Sequence, residues 1–202
     1  DFGTYVHALC EAWERSGERP TDADMRDLAT EMRSGGDLLS METNLGELVR
    51  RANVRLDGFA GFLDDFQPEF IEIEQTVVNR TVGYAGTTDA IVKIGNTLLT
   101  GDIKTSKKVR GDYALQAVAV MNAENLLDND GTLRDMPELT GAFIIHLPES
   151  GGYGAVPLRT SQAEWETFKA LRKAWDFAPD DCALSEAQSP KELLLTLLNA
   201  KL

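Results

Sequence analysis

Cysteine is nearly missing. The 202 residues hold two, Cys10 and Cys182, and neither belongs to a C-x-x-C pair. That excludes a disulfide framework, a zinc knuckle and a thiolate-held cluster, and makes a reducing cytoplasm the expected home. Long apolar runs are missing too. Even the stretch 192–202 is broken by Thr196, Asn199 and Lys201, far short of the ~20 apolar residues of a membrane span, so a soluble chain with no membrane partner is expected. No phosphate loop of the G-x-x-x-x-G-K-[ST] form occurs, which excludes an ATP motor built on that loop. The chain opens at Asp1 without methionine and without a basic-then-apolar signal, and is therefore expected to be a piece of a longer protein. Positive charge is in deficit: 20 basic against 33 acidic residues leave a formal charge of -13. A uniformly basic nucleic-acid coat is thus ruled out, and any phosphate contact must come from a local cluster.

What remains is ordinary globular material, 43% hydrophobic with 17 glycines and 7 prolines. A chain of this length makes one domain or at most two small ones. It hides roughly 70% of its extended surface on folding, enough for a core without staples. The first third has helical period. Val6, Leu9, Cys10 and Trp13 form one stripe that ends near Gly17. Thr21 and Asp24 are spaced as a capping box before Met25, Leu28, Ala29 and Met32, with Gly35 and Gly36 as a stop. A third stripe follows Asn44 through Leu45, Leu48, Val49, Ala52 and Leu56, weakened by Gly58 and Gly61.

From Phe70 the period becomes two, with Ile71, Ile73, Gln75 and Val77 opposite Glu72, Glu74 and Thr76. A strand over 88–94, a Gly95-Asn96 turn and a strand over 97–104 complete an expected three-strand meander. A helix is predicted over 113–127, an apolar strand over 140–147, a Gly151-Gly152 turn and a strand to Pro157. Ser161 with Glu164, and Ser189 with Glu192, open two closing helices, the second with Pro190 at its first position. The predicted organisation is a single domain over 1–202: a helical part over 1–66, sheet and helix over 67–158, and C-terminal helices over 159–202. Trp13, Trp165 and Trp175 fit apolar stripes and are expected in the core, and Tyr84 beside a glycine is expected to pack on the sheet, against the alternative of stacking on a base.

Chemistry concentrates between Glu74 and Gln116. Asp102 and Lys104, two apart on a strand, share a face about 6 to 7 Å apart. The turn at Gly95-Asn96 makes their strand an antiparallel neighbour of the one carrying Asp89, bringing two carboxylates together. Close carboxylates repel, and a hard divalent cation with oxygen ligands, Mg2+ or Mn2+, resolves the repulsion. A lysine beside such an ion suits attack of water on a phosphodiester. The D-x-K pattern alone is weak, since exposed strands often alternate charges; the second acid, the lysine and Gln116 on a following helix give it weight.

In order, Glu74, Gly86-Thr87-Thr88-Asp89, Asp102-Ile103-Lys104 and Gln116 resemble the successive motifs of the PD-(D/E)XK nuclease superfamily, in its RecB-like branch of phage and CRISPR adaptation exonucleases. Gly3-Thr4-Tyr5-Val6-His7 resembles the helix motif that brings a histidine to the metal there. The resemblance runs from Gly3 to about Leu147. It implies an α/β fold with a restriction-endonuclease-like core, a mixed central sheet flanked by helices, behind the helical N-terminal part. It also implies a metal-dependent DNA nuclease, an exonuclease on single strands or duplex ends, working in recombination or processing in a bacterial or phage-infected cytoplasm beside a recombination protein or helicase. Carried over by position, the resemblance implies Asp89, Asp102 and His7 as metal ligands with the Ile103 carbonyl as a further oxygen, Lys104 as the catalytic lysine, Gln116 orienting Lys104, water or the DNA backbone, and Glu74 at the site's edge as an auxiliary ligand or a partner of the ligands, with Glu11 in support. The four cysteines of the adaptation exonucleases are absent, so no iron–sulfur cluster is expected. Val120 stands where the family often carries a tyrosine four residues after its glutamine, which bears on strand handling there.

Each residue has a plainer role to set against this one: a boundary histidine at His7, a solvated strand glutamate at Glu74 like Glu72, a packing residue at Gln116. Lys107, Lys108 and Arg110 follow the metal motif directly and are expected to contact DNA, whereas Arg50, Arg51 and Arg55 are equally well read as a solvated helix face. Rival readings are a DNA- or protein-binding module on the same fold without cleavage, and a structure-specific endonuclease. Oligomeric state is left open.

Overall fold

A computed structural model of the chain describes residues 1–36 and 44–175; Cys182 and the helix start at Ser189 lie outside them. Three helices come first. α1 (Phe2–Ser16) is capped by the Asp1 carboxylate, which accepts from the Thr4 amide at 3.0 Å, and it ends at Gly17, whose φ of 72° suits a residue without Cβ. α2 (Asp22–Ser34) starts on the expected Thr21/Asp24 capping box. α3 (Leu45–Phe66) begins on Asn44, whose side chain accepts from the Gly46 and Glu47 amides.

α3 runs straight through the two glycines expected to weaken it. Its stripe of Leu48, Val49, Ala52, Leu56, Phe59 and Phe62 is buried, and that packing outweighs a helix cost of about 1 kcal/mol per glycine. Gly58 has a positive reason to be there: a Cβ would stand 2.2 Å from the Gly152 carbonyl oxygen, so the helix and the turn touch backbone to backbone.

The sheet follows. β1 (Glu69–Asn79), β2 (Tyr84–Ile94) and β3 (Thr97–Lys104) form the antiparallel meander. A bulge between Phe70 and Glu72 leaves Ile71 42% exposed instead of on the expected apolar face. α4 (Tyr113–Met121) is shorter than the helix predicted over 113–127, because residues 125–127 form β4 (Asn125–Leu127), pairing with β1 and burying Leu126. Propensity yields here to an open sheet edge. β5 (Leu133–Asp135), unforeseen, pairs with β4; β6 (Gly141–His146) lies parallel to β3, and β7 (Gly154–Pro157) antiparallel to β6. The order β5-β4-β1-β2-β3-β6-β7 is one mixed seven-stranded sheet, so the fold is α/β.

The meander's alternation sorts two cores. Ala90 and Val92 join Ile103, Phe143 and Ile145 beneath α1, α2 and α3. Ile91 joins Val77, Leu126 and Val120 of α4 on the other side. Helices therefore cover both faces.

The described residues divide into two units, with the boundary after Phe168. Ser161 starts α5 (Gln162–Trp175): its Oγ accepts from the Ala163 amide, and its own amide donates to the Glu164 carboxylate. In the first unit, Trp165 and Phe168 stack with Tyr84 edge-on to both, the packing roles expected of Tyr84 and Trp165. In the second, Trp175 is 86% exposed; the stripe that assigned it to a core is corrected. Among the described residues no helix is long and apolar enough to cross a membrane.

Candidate metal centre and active site

α1 is anchored by one face and delivers chemistry from the other. Tyr5, Val6, Leu9 and Cys10 are buried, and the Tyr5 hydroxyl donates to the Met25 carbonyl at 2.7 Å. His7, Glu11 and Glu14, at i, i+4 and i+7, are thereby carried along one stripe toward β1.

The strands meet that stripe where their ladders part. β2 and β3 pair as far as Ala90 with Gly101, and one step further Asp89 leaves the ladder pattern. Its Oδ2 accepts from the Ile103 amide at 2.9 Å and lies 3.3 Å from His7 Nδ1. On the β1 side, the pairs Ile73–Ala90 and Gln75–Thr88 bracket Glu74 opposite Asp89. Glu74 holds a left-handed φ of 50°, a strained conformation for a glutamate and one that redirects its side chain from the regular pleat. One ligand atom each from His7, Glu74 and Asp89 lie within 4.8 Å of one another.

Asp102 and Lys104 stand beside this trio. Their charged atoms are 2.5 Å apart and mostly shielded, yet the buried Asp102 Oδ2 has no well-aligned hydrogen-bond donor. Lys104 Nζ also sits 5.4 Å from the Tyr113 ring centroid. The loop after Lys104 is pinned: His146 Nε2 lies 2.7 Å from the Ser106 carbonyl oxygen, and the Ser106 and Tyr113 hydroxyls are 3.1 Å apart.

The electrostatics are those of acids crowded on too few cations. Burial first, then Asp89 and Glu11, push the Glu74 carboxyl up to about 7, with Arg15 opposing. Burial and Asp89 push Asp102 up to about 6 against the pull of Lys104 and His7. Glu14 is raised to about 8 by burial, Asp89 and Glu74, and its Oε1 is buried without a hydrogen-bond partner. Arg15 is spent elsewhere, on Glu11 at 2.9 Å and the Ile73 carbonyl at 3.0 Å.

An open cleft of about 730 Å³ is lined by His7, Glu11, Glu74, Asp89, Lys104 and Thr105, among others. Most of the expected site thus converges. Asp102 stands outside the trio of mutually close ligand atoms, and it is the Ile103 amide whose bond to Asp89 is seen. Gln116, exposed on α4, meets Asp102 across a separate cavity of about 10 Å³, room for one water at most. Lys107 and Lys108 are exposed on the loop that borders the cleft, while Arg110 is engaged by Asp112 at 2.9 Å. The second basic patch dissolves: Arg50 pairs with Glu47, Arg51 lies over the Phe2 ring, and Arg55 is only 3% exposed. Glu14 and Tyr113 were missed, although spacing of seven from His7 marks Glu14 on the ligand stripe.

The donor set suits a hard or borderline divalent ion. Two carboxylates and an imidazole match Mn2+ and Mg2+ better than a thiolate-seeking metal, and raised carboxyl groups are what an added cation would relieve.

No family model matches this chain, and no curated protein matches it. Among solved structures, the crystal structure of SSO0001 is similar at 13% identity and a TM-score of 0.33, covering 87% of this chain and 87% of that one. A likeness of that size carries no argument here.

Proposed function

We propose that the chain is a metal-dependent deoxyribonuclease of the kind its motifs resemble, the RecB-like branch of the PD-(D/E)XK superfamily, acting as an exonuclease on single strands or duplex ends. The observation that carries this reading is the convergence of His7, Glu74 and Asp89 within 4.8 Å, on a cleft that Lys104 also lines. His7, Glu74 and Asp89 would hold Mg2+ or Mn2+, with Asp102 beside them. Such an ion supplies Lewis acidity toward a phosphoryl oxygen and a more acidic water.

The side chains supply the rest. Asp102 holds the Lys104 ammonium at the cleft wall, where it can donate to the phosphoryl oxygen on which negative charge grows as water attacks phosphorus. Tyr113 under Lys104 limits its rotamers, so the ammonium does not have to be ordered at the moment of reaction. Water adds to phosphorus, the bond to the leaving oxygen breaks, and that oxygen takes up a proton. Exposed Lys107 and Lys108 would steer the backbone in, and the acidic remainder of the surface would repel it elsewhere.

Labelled single- and double-stranded DNA in Mg2+ or Mn2+ tests this. Cleavage should need the metal, stop with chelator, and fall by about a hundredfold or more in Lys104→Ala and Asp102→Asn, the cost of removing one pre-oriented charge at a transition state. Undiminished cleavage in both variants would refute the assignment. Strand binding that is indifferent to metal, without cleavage, would favour the binding module instead.

A further inference from the structure

We propose that a pocket beside the candidate active site, walled by Tyr84 and Phe168 and floored by Gly86, takes one unstacked base of the substrate strand. The strand's route past this pocket rests on the nuclease reading; the pocket's own chemistry does not. It encloses about 300 Å³ and is lined by Tyr84, Gly86, Thr87, Gln116, Ala119 and Phe168, among others, at the small end of the range for ligand sites.

Its walls are aromatic and held in place. Tyr84 and Phe168 meet edge to face at 4.9 Å, and Phe168 stacks on Trp165 at an interplanar angle of 9°. The Tyr84 hydroxyl is committed to the Ala119 carbonyl at 2.7 Å, which fixes the ring and leaves recognition to ring surface. A rigid aromatic wall is what a base needs for stacking, and stacking tolerates any base.

Its floor is main chain. β2 extends past the last β2–β3 pair at Ala90, so Ala85, Gly86 and Thr87 are exposed. A Cβ at Gly86 would meet nothing within 4 Å. A strand glycine with open space above it is a place where a flat ligand can lie directly on backbone. Gln116 contributes an amide with both donor and acceptor, the complement of a base edge.

The position ties it to the reaction. Thr87, Gln116 and Val120 line both this pocket and the small cavity that Asp102 borders. A base seated on Gly86 is thus separated from Asp102 by that one small cavity. A paired base within a duplex cannot turn into such a pocket without being flipped out, so the substrate class is single-stranded DNA or a frayed end.

The test is a coupling cycle. Fluorescent oligo(dT), and the same strand with one abasic site moved along it, are titrated with the protein in Ca2+ and read by anisotropy. Wild type should lose about tenfold in affinity at one abasic position, within the range for a single base–aromatic contact. Gly86→Val, whose Cβ enters open space and whose methyls cover the floor, should bind intact and abasic strands alike. Photocrosslinking of 4-thiothymidine strands to wild type should label the peptide holding Tyr84 or Phe168. An abasic penalty equal in wild type and variant, crosslinks confined to other peptides, or no strand binding at all would overturn the pocket. Cleavage measured separately in Mn2+ keeps the two readings apart: a coupled pocket without cleavage sinks the nuclease, and cleavage without coupling sinks the pocket.

Discussion

Glu72 and Glu74 lie two residues apart on the same strand, and nothing in their local sequence separates them. Glu72 meets Arg134 at 2.7 Å, and Arg134 also grips Asp128 at 2.8 Å. Glu74 turns through a left-handed φ to face Asp89 and His7, and its carboxyl is pushed up to about 7. One acid is neutralised by an arginine of the protein and ties the β4–β5 edge to β1. The other is gathered with acids and an imidazole, so it gains from a cation that the chain itself does not supply. An acidic residue's role is therefore set by whether its neighbours cancel its charge or add to it.

That contrast can be broken by substitution. On the proposed reading, Asp89→Asn should lower cleavage by about a hundredfold or more, since Asp89 would face the ion and accepts from the Ile103 amide. Asp128→Asn, on the neutralised cluster, should leave turnover within twofold or so of wild type; equal losses in steady-state assays would erase the distinction. Metal affinity narrows it further. Glu74→Gln should weaken Mn2+ binding by about tenfold in calorimetric titration, and Glu72→Gln should not change it.

The pH dependence has a definite sign. Asp102, Glu74 and Glu14 are raised to about 6, 7 and 8, so the folded chain keeps protons that the unfolded chain releases in the ordinary carboxylate range. Stability of the metal-free protein should be full below that range and fall as pH rises through these values. Thermal melts in chelator should show the decline, and Mn2+ should raise Tm more at mildly alkaline than at mildly acid pH. A flat profile, or equal metal shifts at both ends, would mean that the acids are not crowded. The smallest effect belongs to the other cluster: Arg134→Met, at an exposed network, should cost about 1 kcal/mol or less in denaturant melts with cleavage unchanged.

Much of the fold was legible because local signals and tertiary demands agreed. The Thr21 box, the Asn44 and Ser161 starts, the Gly95-Asn96 turn and the Ala90/Ile91/Val92 alternation each place hydrogen bonds and apolar surface where the finished structure wants them. Failures came where a distant partner decided. Residues 125–127 carry helical period, yet their backbone completes the ladder on β1. Arg55 looks like a surface charge, yet it lies under Phe2 and donates to the Glu149 carbonyl.

The site divides in the same way. Asp89, Asp102 and Lys104 were visible because a two-residue period and a tight turn force neighbouring strands into register. His7 came from its motif, whereas Gln116, on the next helix, borders a separate small cavity and not the cleft. Sequence by itself determined which elements form and which polar residues they carry, since period, caps and turns are properties of adjacent residues. Tertiary structure alone decided that β2 and β3 part at Ala90, that Glu74 turns toward Asp89 and that Glu14, half-buried, tucks one carboxylate oxygen away from solvent near them. Those outcomes depend on how charge and apolar surface from remote segments are balanced in one place, and that balance is written in no single stretch of the chain.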